Sequence, residues 1–175
     1  MAKRITKEEV YELFDIWNTP AHVIAHCNAV SKVGVILAEA LNRNGYNLDV
    51  ELVRGTGLAH DVARVHQDHG GVGCNILKAL GYDDEAEIIK VHMYYLKFNS
   101  VENINECDIV CLADKLVIED KYVGLDKRFD YIIKKANADE EINRRIRYNR
   151  DRLREFIKDI EAKIGQTFDE LFKEL

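Results

Sequence analysis

His60 and Asp61 stand side by side inside the apolar run Leu58-Ala59-His60-Asp61-Val62-Ala63. A carboxylate or imidazolium taken out of water is costly to bury unless an opposite charge meets it. Four more residues of metal-ligating type, His26, His69, His92 and Asp114, fall on other predicted helices, mostly on apolar stripes. Singly, each is ambiguous. A lone histidine on a helix stripe is more often a hydrogen-bonded core residue than a ligand. Asp114 could pair with a buried Lys or Arg, and His60-Asp61 could be a helix-end arrangement. Together they have one common explanation, a metal centre that all six surround. Imidazole and carboxylate donors without thiolate suit Fe, Mn, Zn, Co or Ni and point to hydrolytic chemistry. The expected cofactor is therefore a divalent transition metal, as one ion or two.

The remaining histidines are less telling. His22 lies one turn before His26 and could chelate with it, but its place near the helix start favours a substrate contact at the rim. His66, in the polar turn Val65-His66-Gln67-Asp68, reads as a surface residue. Cys27, Cys74, Cys107 and Cys111 all lie among apolar neighbours with no Cys-x-x-Cys spacing. They read as buried thiols in a reducing compartment, not as a zinc cluster, although Cys107 and Cys111 sit one helical turn apart.

The elements that must position these groups are helical. There is one proline in 175 residues, and strand-type alternation is scarce. Thr6 with Glu9 has capping-box spacing for a helix over 6–17. Thr19 as N-cap with Pro20 at the first helical position opens a helix running to about Asn44, stopped by Gly45. Its stripe is Val23, His26, Cys27, Val30, Gly34, Leu37, Ala38 and Leu41. Asp49 caps a third helix that runs to about Arg64 and ends on the His-Asp pair. A fourth begins near His69 and stops at Gly81. Asp83 or Asp84 caps a fifth, with the stripe Ile88, Ile89, His92, Met93 and Leu96. Asn105 caps a sixth through Glu119, which would place Val110, Asp114, Val117 and Ile118 on one side. Residues 120–130 read as a loop or short turn, 131–165 as one or two helices, and Phe168 to Leu175 as a last short helix.

Composition sets further bounds. With 47% hydrophobic and 32% charged residues, the chain has the makeup of a soluble protein long enough for a real core. No run approaches the roughly 18 consecutive apolar residues of a membrane span, and the start lacks an apolar signal core. The expectation is a cytoplasmic protein with no membrane partner. A net charge of −6 gives no reason to expect nucleic-acid binding. Arg144, Arg145, Arg147, Arg150, Arg152 and Arg154 are interleaved with acids, which reads as a solvated, salt-bridged helix face before a phosphate-binding or subunit-contact site.

The ordered segments His26-Cys27-Asn28-Ala29-Val30, His60-Asp61-Val62-Ala63-Arg64, His69-Gly70-Gly71-Val72-Gly73, Ile89-Lys90-Val91-His92 and Leu112-Ala113-Asp114-Lys115 resemble the HD-domain metal-dependent phosphohydrolases. The resemblance covers about residues 20–120. It implies a bundle of about five core helices with the ions at its centre; with the length of the chain, the expectation is one all-α HD domain over 1–175, with a C-terminal helical extension over 121–175. It implies His26, His60, Asp61 and Asp114 as ligands of a first ion. His69 and His92 match the two-metal branch, in which Asp61 would bridge; that branch includes di-iron enzymes resembling the bacterial diadenosine-tetraphosphate hydrolases. Many relatives carry Lys where this chain has Arg64, which keeps the phosphate contact but cannot donate a proton. The extended Gly-Tyr-Pro signature of cyclic-di-GMP phosphodiesterases is missing.

The expected activity is cleavage of a phosphoester or phosphoanhydride, of a nucleotide first and a simple phosphomonoester second. Attack would come from a metal-bound hydroxide between ions about 3.5–4 Å apart. Asp61 and Arg64 are the catalytic candidates, and Arg64, Lys115 and His22 the substrate contacts. For Lys115 a salt bridge with Glu119 is an equal alternative. Tyr94, Tyr95, Lys97 and Phe98 could contact a base and phosphate but read first as core or interface aromatics. Competing readings are a metal-binding regulator or scaffold without turnover, a di-iron oxygenase on the same fold, and an inert bundle. The partner expected is a small phosphorylated molecule; self-association into a homo-oligomer stays open.

Overall fold

The computed structural model describes residues 3–137 and 139–175. Helix α1 (Lys7–Ile16) opens on a capping box: Thr6 N–H donates to Glu9 Oε2 at 2.8 Å and Glu9 N–H to Thr6 Oγ1 at 3.2 Å. The central element is α2 (Ala21–Arg43). Its stripe residues Val23, Cys27, Val30, Gly34, Leu37, Ala38 and Leu41 are all buried. Around it lie α3 (Val50–Ala59) and α6 (Glu106–Asp114). Glycines permit this close approach: a Cβ on Gly57 would meet Ser31 Cα at 2.9 Å, and one on Gly34 would meet Val53 Cγ1 at 2.9 Å. By length and apolar content α2 could cross a membrane, but half of its apolar window is core.

Helices α4 (His69–Ala79) and α5 (Asp83–Val91) form a hairpin, turned at Gly81 with φ +83°. Gly73 lets them touch, since a Cβ there would come within 3.0 Å of Ile89 Cγ2. Among the described residues two apolar clusters result. One gathers α1 and the α4–α5 hairpin on Val23 and Cys27, through Phe14, Leu77, Tyr82 and Ile89. The other joins α2, α3 and α6 to the C-terminal helices α7 (Gly124–Ala136), α8 (Glu140–Ile164) and α9 (Phe168–Leu171), through Phe129, Phe156, Ile160 and Phe168.

Several boundaries differ from those read in the sequence. Pro20 is the N-cap of α2, and the Thr19 hydroxyl instead donates to the Val62 carbonyl at 2.6 Å. Helix α3 stops at Ala59, so His60 is its C-cap and turns carry the chain to Asp68. Tyr82, not Asp83 or Asp84, precedes α5, and α5 ends at Val91, with His92–Tyr94 forming a 3-10 turn. Met93 and Leu96 are exposed. Helix α6 ends at Asp114. Val117–Ile118 (β1) and Lys121–Tyr122 (β2) form a small antiparallel hairpin in place of the expected helical continuation. Residues 124–130 are helical, not loop.

Along α8, Arg147 pairs with Glu140 at 2.7 Å and Arg154 with Asp151 at 2.7 Å. Arg150 and Arg154 also reach Asp126 on α7. The face is salt-bridged, and through Arg150 and Arg154 it ties α8 to α7.

Candidate metal centre

Four of the six candidate donors sit at helix ends. His60 and His92 are the C-caps of α3 and α5, His69 is the first residue of α4, and Asp114 is the last of α6. A helix C-terminus leaves its last carbonyls without intrahelical partners. Both C-cap histidines use this in the same way. His60 Nδ1 lies 2.8 Å from the Gly57 carbonyl and His92 Nδ1 lies 2.6 Å from the Ile89 carbonyl, each three residues back. On α2, His26 Nδ1 is 3.1 Å from the Glu119 carbonyl, in the β1–β2 turn where Glu119 takes φ +51°. A carbonyl only accepts, so in the neutral ring Nδ1 carries the proton and Nε2 keeps its lone pair.

Those lone pairs converge on two carboxylates. His26 Nε2 is 3.1 Å from Asp114 Oδ1, and His60 Nε2 is 4.0 Å from the same oxygen and 3.8 Å from Asp61 Oδ2. The other Asp61 oxygen, Oδ1, is 3.0 Å from His69 Nε2 and 3.6 Å from His92 Nε2. The imidazoles form a chain, with centroids 5.3 Å apart for His26 and His60, 5.2 Å for His60 and His92, and 5.4 Å for His69 and His92. Within it, one donor atom from each of His26, His60 and Asp114 lies within 4.8 Å of the others, as do donors from His60, Asp61 and His92. All six predicted donors are thus brought to one place.

The electrostatics favour a cation. His60 Nε2 is buried and has no hydrogen-bond partner among the described residues. An acceptor facing carboxylate oxygens is repelled by them unless a positive charge lies between, which is the role an ion fills. Burial lowers the His60 pKa to about 4 despite the opposing pull of Asp61 and Asp114, so the ring is neutral and ready to coordinate. For Asp61, burial works to raise the pKa, whereas positive charge on the surrounding His60, His69 and His92 rings, or an N–H turned toward it, pulls it below the ordinary carboxylate range. Asp114 is held low in the same sense by His26, His60 and Lys115 against its own burial. The donors fit a divalent ion.

Beside the donors opens a cavity of about 300 Å³. His22, His26, Asp61 and Arg64 line it, together with Glu119, Arg128, Tyr131 and Lys135. Arg64 Nε is 3.4 Å from Asp61 Oδ2, and its Nη1 is 3.5 Å from His69 Nδ1. His22 is exposed on the wall. Lys115 is not part of that lining; its ammonium donates to the Cys111 carbonyl at 3.2 Å. His66 stacks edge-on to Trp17, with centroids 5.6 Å apart. Sequence reasoning missed Glu119, whose contribution is a backbone carbonyl. It also missed Arg128, Tyr131 and Lys135, which recur at three- and four-residue spacing on α7 and carried no other signal.

The HD domain family matches residues 23–118, more than half of the chain and all six donors. The chain belongs to the HD domain family. HD domains form a superfamily of metal-dependent phosphohydrolases, and the convergent His and Asp donors agree with that membership. An uncharacterized protein of Methanocaldococcus jannaschii is 35% identical to this HD protein over 128 residues, covering 62% of this chain and 76% of the relative. No solved structure matches it. Helices α7 to α9 lie beyond the matched span.

Proposed function

We propose that this HD protein hydrolyses a phosphoester or phosphoanhydride of a nucleotide at a two-ion centre. The observation that carries the reading is the orientation of Asp61: one oxygen faces His60, and the other faces His69 and His92. A carboxylate so placed suits a bridge. His26, His60, Asp61 and Asp114 would hold one ion and Asp61, His69 and His92 the other, as in the branch resembling the diadenosine-tetraphosphate hydrolases. Bound divalent ions would supply Lewis acidity, lowering the pKa of water and offsetting charge on phosphoryl oxygens.

The chain's own groups do the rest. The Gly57, Ile89 and Glu119 carbonyls fix three imidazoles with Nε2 inward, so the ligand set is oriented before any ion arrives. Arg64, at the cavity wall, forks onto a phosphoryl oxygen and places phosphorus beside Asp61. Being unable to give up its proton, it binds and orients and leaves proton transfer to others. His22, further out, contacts the rest of the substrate. We read α7 to α9 as part of the same domain, since their side chains share a core with α2 and α6.

The test is elemental analysis of protein purified without chelator, followed by phosphate release from a nucleotide panel with Mn, Fe, Co and Ni. About two ions per chain and metal-dependent release are expected. Stoichiometric metal with no turnover on any phosphorylated compound would leave a regulator or scaffold as the better description. Oxygen consumption by an iron-loaded sample would favour an oxygenase.

A further inference from the structure

Each carboxylate of the centre has an arginine within ion-pair distance. Arg64 Nε lies 3.4 Å from Asp61 Oδ2, and Arg128 Nη2 lies 3.6 Å from Asp114 Oδ1. The two arginines come from different parts of the chain: Arg64 follows the His-Asp pair, whereas Arg128 is on α7, outside the span matched by the family. Arg128 is largely buried, with 18% of its side chain exposed, and its Nε is buried without a hydrogen-bond partner among the described residues. A guanidinium placed this way has donors to spare and faces the cavity.

Arg128 does not act alone. Tyr131 and Lys135 line the same cavity, at three and seven residues further along α7, hence on one helix face. At 1.5 Å per residue, Lys135 stands about 10 Å along the axis from Arg128. The cavity therefore has a donor-rich end at Asp61 and His26, and a cationic wall leading away from it with an aromatic ring between the charges. A single phosphate at the centre would reach Arg64 and Arg128 and leave the ammonium of Lys135, 5.6 Å from the Tyr131 ring centroid, without an anion. A chain of two or more phosphoryl groups would run along the whole wall.

We propose that the Arg128–Tyr131–Lys135 face of α7 is the specificity element of this centre, selecting a phosphoanhydride chain over a lone phosphate. Arg128 takes the phosphoryl group at the ions and Lys135 the next one out. The proposal rests on the metal-centre reading and adds a coupling to it. With a cation on Asp61 and Asp114, Arg64 and Arg128 would lose their carboxylate partners and be free to meet the incoming anion.

The experiment uses the full chain stripped with chelator and reads binding alone. Mn²⁺ is titrated first by calorimetry; orthophosphate and non-hydrolysable methylenediphosphonate are then titrated into the Mn-loaded protein. The wild type should bind the diphosphonate at least about tenfold more tightly than orthophosphate, the scale of one charge-assisted hydrogen bond. Arg128→Gln should weaken both anions about tenfold while binding Mn²⁺ more tightly, because a competing cation has left Asp114. Lys135→Gln, at an exposed position, should weaken only the diphosphonate. Arg128→Lys keeps the charge and should recover part of the anion binding, which separates loss of contact from loss of fold. Equal affinity for the two anions in the wild type, or an Arg128→Gln variant that loads Mn²⁺ and binds both anions normally, would overturn the proposal and leave the metal centre standing. A wild type that takes up no Mn²⁺ or other divalent ion would overturn both.

Discussion

Acid should unfold the metal-free protein earlier than its carboxylates alone would dictate, and His60 sets the size of the effect. In the folded chain its imidazole is fully buried and its pKa is lowered to about 4; in the unfolded chain it returns to 6.5. Between those values the unfolded state takes a proton that the folded state refuses, so stability falls as pH falls through this window. At about 1.4 kcal/mol per pH unit, the whole gap amounts to about 3 kcal/mol, of which about 2 kcal/mol is lost by pH 5. Asp61 and Asp114 act in a different range. Their folded pKa values are lowered, so their contribution is intact above the ordinary carboxylate value and is lost only below it. They do not contribute to the change between pH 7 and 5. Urea unfolding of chelator-treated protein at pH 7, 6 and 5 measures the effect directly. A loss of about 2 kcal/mol is a large share of the roughly 5–15 kcal/mol that holds a domain together. His60→Gln, which takes up no proton, should flatten the curve over the same range. If the wild type is as stable at pH 5 as at pH 7, or if His60→Gln keeps the full drop, the buried neutral imidazole is the wrong account.

Three further outcomes follow from the same geometry. Asp61→Ala should lose bound metal and hydrolysis together, read by elemental analysis and phosphate release; turnover that survives metal loss would refute the bridging role. Adding Mn²⁺ to stripped protein should raise the melting temperature, by the equivalent of about 2.7 kcal/mol at a hundredfold excess over Kd, and a melting curve indifferent to Mn²⁺ would count against a site built in the fold. Gly57→Ala would press a methyl group to within 2.9 Å of Ser31 Cα, a backbone atom that cannot move aside. A destabilisation of about 1–3 kcal/mol is expected, and an unchanged thermal midpoint would show that α2 and α3 have slack at this crossing.

The helical class, the α2 stripe and the six side chains that converge at the candidate centre were legible because each rests on a local pattern. The stripe repeats over about five turns, and a buried His-Asp pair is conspicuous wherever it falls. Helix ends were harder to read. His60 and His92 extend the apolar periodicity of α3 and α5, so nothing in the spacing separates a last helical residue from a C-cap that turns its ring inward. The Val117–Tyr122 hairpin has two residues per strand, too few for alternation to register. Thr19-Pro20 has the composition of an N-cap, but a tertiary hydrogen bond to Val62 claimed the hydroxyl. Arg128 was invisible for another reason: on an amphipathic, highly charged helix one arginine looks like any other until packing against Asp114 distinguishes it.

The tie between His26 and the Glu119 carbonyl has an evolutionary corollary. What the ring requires at that position is a peptide oxygen and a left-handed bend, neither of which is spelled by one particular amino acid. Glycine or asparagine would serve as well as glutamate. Orthologues can therefore drift at this position while keeping the ring anchored, and the anchor will leave no trace in aligned letters. Its persistence has to be sought in chain trajectories.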